Sequence, residues 1–234
     1  MNFMVKIALK DDMDKNVYPY NISALKSFSE LVIDSPVTFF VGENGSGKST
    51  LIEAIAVAIG LNPEGGSDNF NFSTSSTHSE LHEKIILSKT GKTPSTKYFL
   101  RAESFYNVAT EVDTLEAYGS HGGSLHECSH GEAFIKLIEN RFWDNGLFIL
   151  DEPESALSPL KQMKLLILMD ELVKSGSQLI IATHSPILLA FPNASIYDLD
   201  NNLEKVKYSD TEHYKLYKLF LDNPELMVRK LFEE

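Results

Sequence analysis

Cysteine is almost missing from this chain. Cys128 is the only one in 234 residues, so no intrachain disulfide forms and nothing ties the protein to an oxidising compartment. Long apolar runs are missing too, none approaching the ~20 residues that a membrane-spanning helix needs. The N-terminus has no apolar plug of the signal-peptide kind. Phe3, Val5, Ile7 and Leu9 alternate there with Met4, Lys6, Ala8 and Lys10, which is the period of a strand. Together these absences point to a cytoplasmic protein. Basic residues are outnumbered, 21 Lys and Arg against 33 Asp and Glu, for a formal charge of −12. That disfavours a surface that traps nucleic acid as a whole, though not a local basic groove. No long heptad segment occurs, which excludes coiled-coil arms. What remains is a chain whose 43% hydrophobic content can bury a full core, with a length that allows one domain or two.

The densest pattern lies at residues 37–59. An apolar run (Val37, Phe39, Phe40, Val41) feeds into Gly42-Glu43-Asn44-Gly45-Ser46-Gly47-Lys48-Ser49-Thr50, and a helical pattern follows over 51–59. The spacing G-x-x-x-x-G-K-[ST] is that of a phosphate-binding loop. Its glycines let the backbone curl until several N–H groups face one anion. Lys48 then reaches the terminal phosphates of a nucleotide, the Ser49 hydroxyl helps to hold Mg²⁺, and the helix presents its positive end. A plain glycine turn between strand and helix is the alternative, and the strand-before, helix-after context weighs against it.

Around this loop the chain alternates between apolar segments and breaks. Residues 3–9 and 28–33 have the character of strands, and Tyr18, Tyr20 and Phe28 are candidates to stack on a base, each with core or surface packing as its plainer role. Residues 67–79, rich in Ser, Thr and Asn, predict a loop. Residues 85–88 and 97–101 suggest an antiparallel hairpin across Thr90-Gly91-Lys92-Thr93-Pro94, forming a side layer. A helix is expected over 131–142.

Residues 147–150 form a short, continuously apolar run, as in a buried parallel strand, ending in Asp151-Glu152-Pro153-Glu154. A carboxylate leaving such a strand beside a phosphate loop suits a metal, so Asp151 is assigned to Mg²⁺ and Glu152 to orienting the attacking water. An acidic turn before the next helix is the alternative. Residues 160–173 then predict a helix and 178–182 a second buried strand. Thr183-His184-Ser185-Pro186 follows, with Ser185 as N-cap and His184 at the strand's C-terminal end, where it would sense the γ-phosphate. Strands at 196–199 and 203–208 and two short helices complete the chain. Ser209-Asp210-Thr211-Glu212 resembles a capping box for the first of them, and no chemistry is apparent in that segment.

Cys128-Ser129-His130-Gly131-Glu132 opens the helix at 131–142. Ser129 stands 22 positions before Asp151, and His184 stands 33 after it. In this order of motifs the chain resembles the ATP-binding-cassette (ABC) ATPases, and more narrowly a family of short predicted bacterial ATPases close to the DNA-repair and chromosome-maintenance branch. The segments that carry the resemblance are GENGSGKSTLIEAIA, FLRAESFYNVAT, SLHECSHGEAF, LDEPESALS and IIATHSPILLA.

The resemblance implies an α/β P-loop NTPase fold of the ABC type, a mixed sheet with an antiparallel side layer and a small helical lobe. One domain is expected over 1–234, with a nucleotide core at 1–102 and 146–197, a helical signature lobe at 103–145 and an appendage at 198–234. It implies an ATP hydrolase working as a homodimer that sandwiches two ATP molecules with Mg²⁺. Lys48, Glu152 and His184 would be catalytic. Asn44, Gly45, Ser46, Gly47, Lys48, Ser49 and Thr50 would cradle the phosphates in one subunit, with Ser129, Gly131 and Glu132 contributed by the other. Ser155-Ala156-Leu157-Ser158 would let one site feel the other.

Two departures lean away from transport. His130 replaces the signature's usual first glycine and Glu132 its final glutamine. No glutamine occurs from 49 to 128, leaving Glu103 to fill that metal-side role by position. The partner is then a protein or nucleic acid, with a membrane permease or a gated toxin or nuclease as alternatives. His121, His126, Cys128 and His130 offer a rival reading as a metal cluster, though without the spacing of structural zinc sites.

Overall fold

The computed structural model describes residues 2–67, 79–103, 105 and 129–233. The first half runs β1 (Met4–Leu9), α1 (Ser23–Ser27), β2 (Glu30–Val32), β3 (Val37–Val41), α2 (Lys48–Ala58), β4 (Gly66–Ser67), α3 (Leu81–Lys84), β5 (Ile85–Lys89) and β6 (Lys97–Arg101). The second half runs α4 (His130–Arg141), β7 (Leu147–Asp151), α5 (Pro159–Lys174), β8 (Gln178–Ala182), α6 (Pro186–Leu189), β9 (Ser195–Asp198), β10 (Glu204–Val206), α7 (Glu212–Asp222) and α8 (Pro224–Glu233).

Seven strands form one sheet in the order β10-β9-β3-β8-β7-β6-β4. Its five central strands are parallel, and the edges β10 and β4 are antiparallel. Every residue of β3, β7 and β8 is buried, as two-sided burial of a parallel sheet demands. The strand period then divides them. Phe39, Phe148 and Ile181 face a core closed by α4 and α5, while Phe40, Ile149 and Ile180 face a second core that holds α2 and the small sheet.

That small sheet, β2-β1-β5, is wholly antiparallel and supplies the side layer. The hairpin expected from residues 85–88 and 97–101 does not form. β5 pairs with β1, matching Ile7 to Leu87, whereas β6 runs parallel to β7, matching Phe99 to Ile149. Burial explains the split. Tyr98, Phe99 and Leu100 are consecutive and all buried, which only an interior strand can satisfy, while β5 is exposed along much of its length. The segment around Gly91 therefore crosses between sheets.

Gln178 fastens the two layers. Its Oε1 accepts the N–H groups of Phe3 and Met4, both at 2.9 Å, and its Nε2 donates to the Met4 carbonyl at 2.8 Å. Two smaller expectations shift. The strand at 203–208 shortens to β10, and the N-cap of α7 is Thr211 rather than Ser209, with Thr211 Oγ1 accepting the Tyr214 N–H. The 67–79 loop falls almost wholly outside the described residues, as does most of the first part of the expected helical lobe. Among the described residues no helix is long and apolar enough to cross a membrane.

Candidate functional site

The C-terminal ends of β3, β7 and β8 lie side by side, with β8 between the other two. Whatever follows each strand is thus delivered to one place. After β3 the chain turns through the glycine loop, where Gly47 has φ +98° and a Cβ there would stand 2.8 Å from Ile22 Cγ2. Glycine meets both demands, and α2 begins at the next residue. Lys48 is 4% exposed and donates to the carbonyls of Gly42 at 2.9 Å and Glu43 at 3.0 Å. Burial pulls its ammonium below the usual lysine range. The Glu43 N–H is held by Asp200, just beyond β9.

A cavity of about 420 Å³ opens over this loop, lined by Asn44, Gly45, Lys48, Ser49 and Thr50 together with Tyr18 and Glu152. Tyr18 is exposed at its edge, its hydroxyl 3.4 Å from Thr50 Oγ1. Tyr20 and Phe28 are buried in the core instead, so of the three aromatic candidates only Tyr18 can meet a base.

After β7 come the carboxylates. Ser49 Oγ donates to Asp151 Oδ1 at 3.2 Å, and Arg101 Nε meets Asp151 Oδ2 at 3.3 Å. The Arg101 guanidinium also binds Glu53 Oε2 at 3.0 Å. Despite this cation, burial dominates and pushes the Asp151 carboxyl up to about 6. Arg101 is set against Asp151, and Glu103 is exposed, close enough to Arg101 to favour its charge. Glu152 takes a left-handed backbone, φ 48° and ψ 52°, which redirects the chain into a short 3₁₀ turn, Pro153–Ala156. Its N–H bonds the Ala182 carbonyl, so the acidic turn is tied to the end of β8.

After β8, His184 Nε2 lies 3.4 Å from Glu152 Oε1. Glu154 holds this corner, its carboxylate accepting from Thr183 Oγ1 at 2.7 Å and from the His184 N–H. His184 Nδ1 is 2.8 Å from Nε2 of His213, on α7. Sequence reasoning missed Arg101, Glu154, His213 and Asp200. Only Glu154 carried a local signal, as part of an acidic run beside Glu152.

The signature residues form a separate cluster. Ser129 caps α4, and its N–H and Oγ both donate to Glu132 Oε2, at 3.0 and 2.6 Å, while Lys161 Nζ reaches Ser129 Oγ at 3.1 Å. Gly131 packs so close to the 3₁₀ turn that a Cβ would stand 2.8 Å from the Ala156 carbonyl. His130 sets its ring edge-on against Phe105 at 5.1 Å, so it serves the lobe's packing. Among the described residues no cluster of His, Cys, Asp and Glu could hold a metal ion. His121, His126 and Cys128 lie outside them.

Does a nucleotide fit the loop site? Ser46 Oγ and His184 Nε2 are buried without a hydrogen-bond partner among the described residues, and Lys48 there has no ion pair. Buried polar atoms left so cost about 1–3 kcal/mol each, and Lys48, which lines the cavity, is the cation that a phosphate bound there would meet. The donor set of Ser49 and Asp151 suits a hard, oxygen-seeking cation such as Mg²⁺.

Fold and site together define a P-loop ATPase of the ABC type, an enzyme that binds and hydrolyses ATP. The sequence model of the family described as "AAA domain" matches residues 21–145, and the chain belongs to that family. A second model, "AAA domain, putative AbiEii toxin, Type IV TA system", matches residues 124–190. Among curated relatives, an "Uncharacterized ABC transporter ATP-binding protein" of Haemophilus influenzae is 26% identical over 224 residues, covering 85% of this chain and 84% of its own. "Vitamin B12 import ATP-binding protein BtuD" of Yersinia pseudotuberculosis is 29% identical over 184 residues, covering 68% and 71%. A solved structure described as "Structure of ATP binding subunit of ABC transporter" shares the fold with a TM-score of 0.52 and 18% identity, covering 89% of this chain and 91% of that one.

Proposed function

We propose that this ATPase works in the cytoplasm outside membrane transport, as a homodimer closed by two Mg·ATP, and that closure acts on a partner protein or nucleic acid. The observation that carries the reading is the meeting of Ser49, Asp151, Glu152 and His184 beside Lys48, delivered by three adjacent strands. When bound, Mg²⁺ screens the charge of the phosphoryl group that is transferred to water. Lys48 binds the terminal phosphates, releasing the loop carbonyls it now holds. Ser49 and Asp151 Oδ1 hold the cation, while Arg101 fixes the other Asp151 oxygen. Glu152 orients the attacking water and accepts its proton. His184, with Nε2 3.4 Å from Glu152, would sense the same phosphoryl group.

Ser129 and Glu132 bond to each other, with Gly131 packed against the Ala156 carbonyl, a cluster apart from the loop site that supports completion by a second copy. Serine at the head of a twelve-residue helix is suited to a partner's phosphate. A protein partner is supported by α7 and α8, which bury none of their residues and expose Leu216, Leu219, Leu226, Leu231 and Phe232. The names of the relatives favour a second reading, a subunit that energises a permease. Co-purification with a membrane protein would select it.

The deciding experiment is Glu152→Gln. Turnover should fall by about 10²–10⁴-fold with ATP affinity kept, and an undiminished rate would remove Glu152 from the chemistry.

A further inference from the structure

His213 lies in the part of the chain where the sequence suggests no chemistry. Yet its Nε2 stands 2.8 Å from His184 Nδ1, with ring centroids 4.9 Å apart and planes tilted by 58°. The contact is built from both sides. Thr211, 1% exposed, caps α7 and donates to the Tyr208 carbonyl at 2.8 Å, and the Tyr208 hydroxyl donates to the Pro186 carbonyl at 3.0 Å. This pins the first turn of α7, and His213 with it, to the start of α6. On the other side Glu154 holds the His184 backbone.

A hydrogen bond between two neutral imidazoles contains one proton, so there are two arrangements. If His184 donates from Nδ1, its Nε2 is a bare lone pair 3.4 Å from the Glu152 carboxylate. Two electron-rich atoms then lie close together in a partly buried site. If His213 donates from Nε2, the His184 proton sits on Nε2, the ring nitrogen nearer Glu152. Coulomb's law selects the second. Nε2 is also the ring atom left without a hydrogen-bond partner among the described residues, as expected of a donor whose acceptor arrives with the substrate.

We propose that His213 is a positioning residue for ATP hydrolysis: by donating to His184 Nδ1 it holds the ring in the tautomer and orientation that keep Nε2–H free for the transferred phosphoryl group. This rests on the function proposed above and extends it, because α7 becomes part of the site. A neighbour's hydrogen bond sets which imidazole nitrogen is active here, as it does for metal-bound histidines.

Long-range ¹H–¹⁵N spectra of the imidazoles in the full-length, nucleotide-free protein test this directly, with His184→Asn used for assignment. Wild type should show His184 protonated at Nε2; a proton at Nδ1 overturns the proposal with no variant needed. In His213→Phe, which keeps a ring and loses the donor, the His184 Nδ1 resonance should move downfield as its lone pair loses its hydrogen bond, and an unchanged Nδ1 shift counts against the proposal. Turnover should fall about tenfold in His213→Phe, with KM for ATP within about twofold of wild type. His213→Gln, whose amide can donate to the same nitrogen, should recover most of the rate. Equal loss in both variants, or loss in neither, refutes the role. If Glu152→Gln keeps full turnover, the proposed function fails while the tautomer result still stands. If Glu152→Gln is inactive and His213→Phe is not slowed, only His213 is excluded.

Discussion

The burial of Asp151 sets a cost that can be measured without nucleotide. Its folded pKa, about 6, lies above the ordinary carboxylate value of 3.8. The neutral acid is thus the form that the fold prefers. Its contribution is fully present below pH about 4 and is lost as pH rises through about 6. Asp151→Asn removes that penalty. The variant should be more stable than wild type at pH 7.5 by on the order of 1–3 kcal/mol, with the difference vanishing near pH 4, as read from urea unfolding at several pH values. A wild-type-like profile would mean that Arg101 compensates the charge in full. Gln178 works in the opposite sense. Replacing it with Leu strands three buried backbone groups of Phe3 and Met4, at a cost of about 3 kcal/mol, and thermal unfolding should show it.

Elements explain what could be read in the sequence. The glycine loop and the acidic exit of β7 are local patterns, since backbone curl and strand burial are written in consecutive residues. The choice of strand partners is not local. Residues 85–88 and 97–101 look like a hairpin because they are close in sequence, and only the competition for two-sided burial sends β6 into the large sheet. The same holds inside the site. Arg101 meets Asp151 across 50 positions and His213 meets His184 across 29, and nothing in either neighbourhood announces its partner. Packing between elements carries its own prediction. Gly131→Val forces α4 away from the 3₁₀ turn at Ala156. Overpacking of this kind costs about 1–3 kcal/mol, so the midpoint of thermal denaturation should drop, and the proposed ATP-driven dimerisation should weaken as the signature residues move.

At the scale of the whole molecule the question is mass. Light scattering after size exclusion of Glu152→Gln should give a monomer alone and a dimer with Mg·ATP. A mass that ATP leaves unchanged means constitutive assembly or closure that waits for a partner, and the sandwich would have to be reconsidered. One residue also weighs on the molecule's future. Glu152 occupies a left-handed conformation, φ 48°, that costs an L-amino acid roughly 1–2 kcal/mol and costs glycine little. It also sits beside Asp151, whose charge it disfavours. Backbone and electrostatics both push against glutamate here, which supports the role proposed for it in hydrolysis. In a lineage propagated where the activity is dispensable, position 152 should be among the first to drift, toward glycine or asparagine, with a gain in stability as the activity dies.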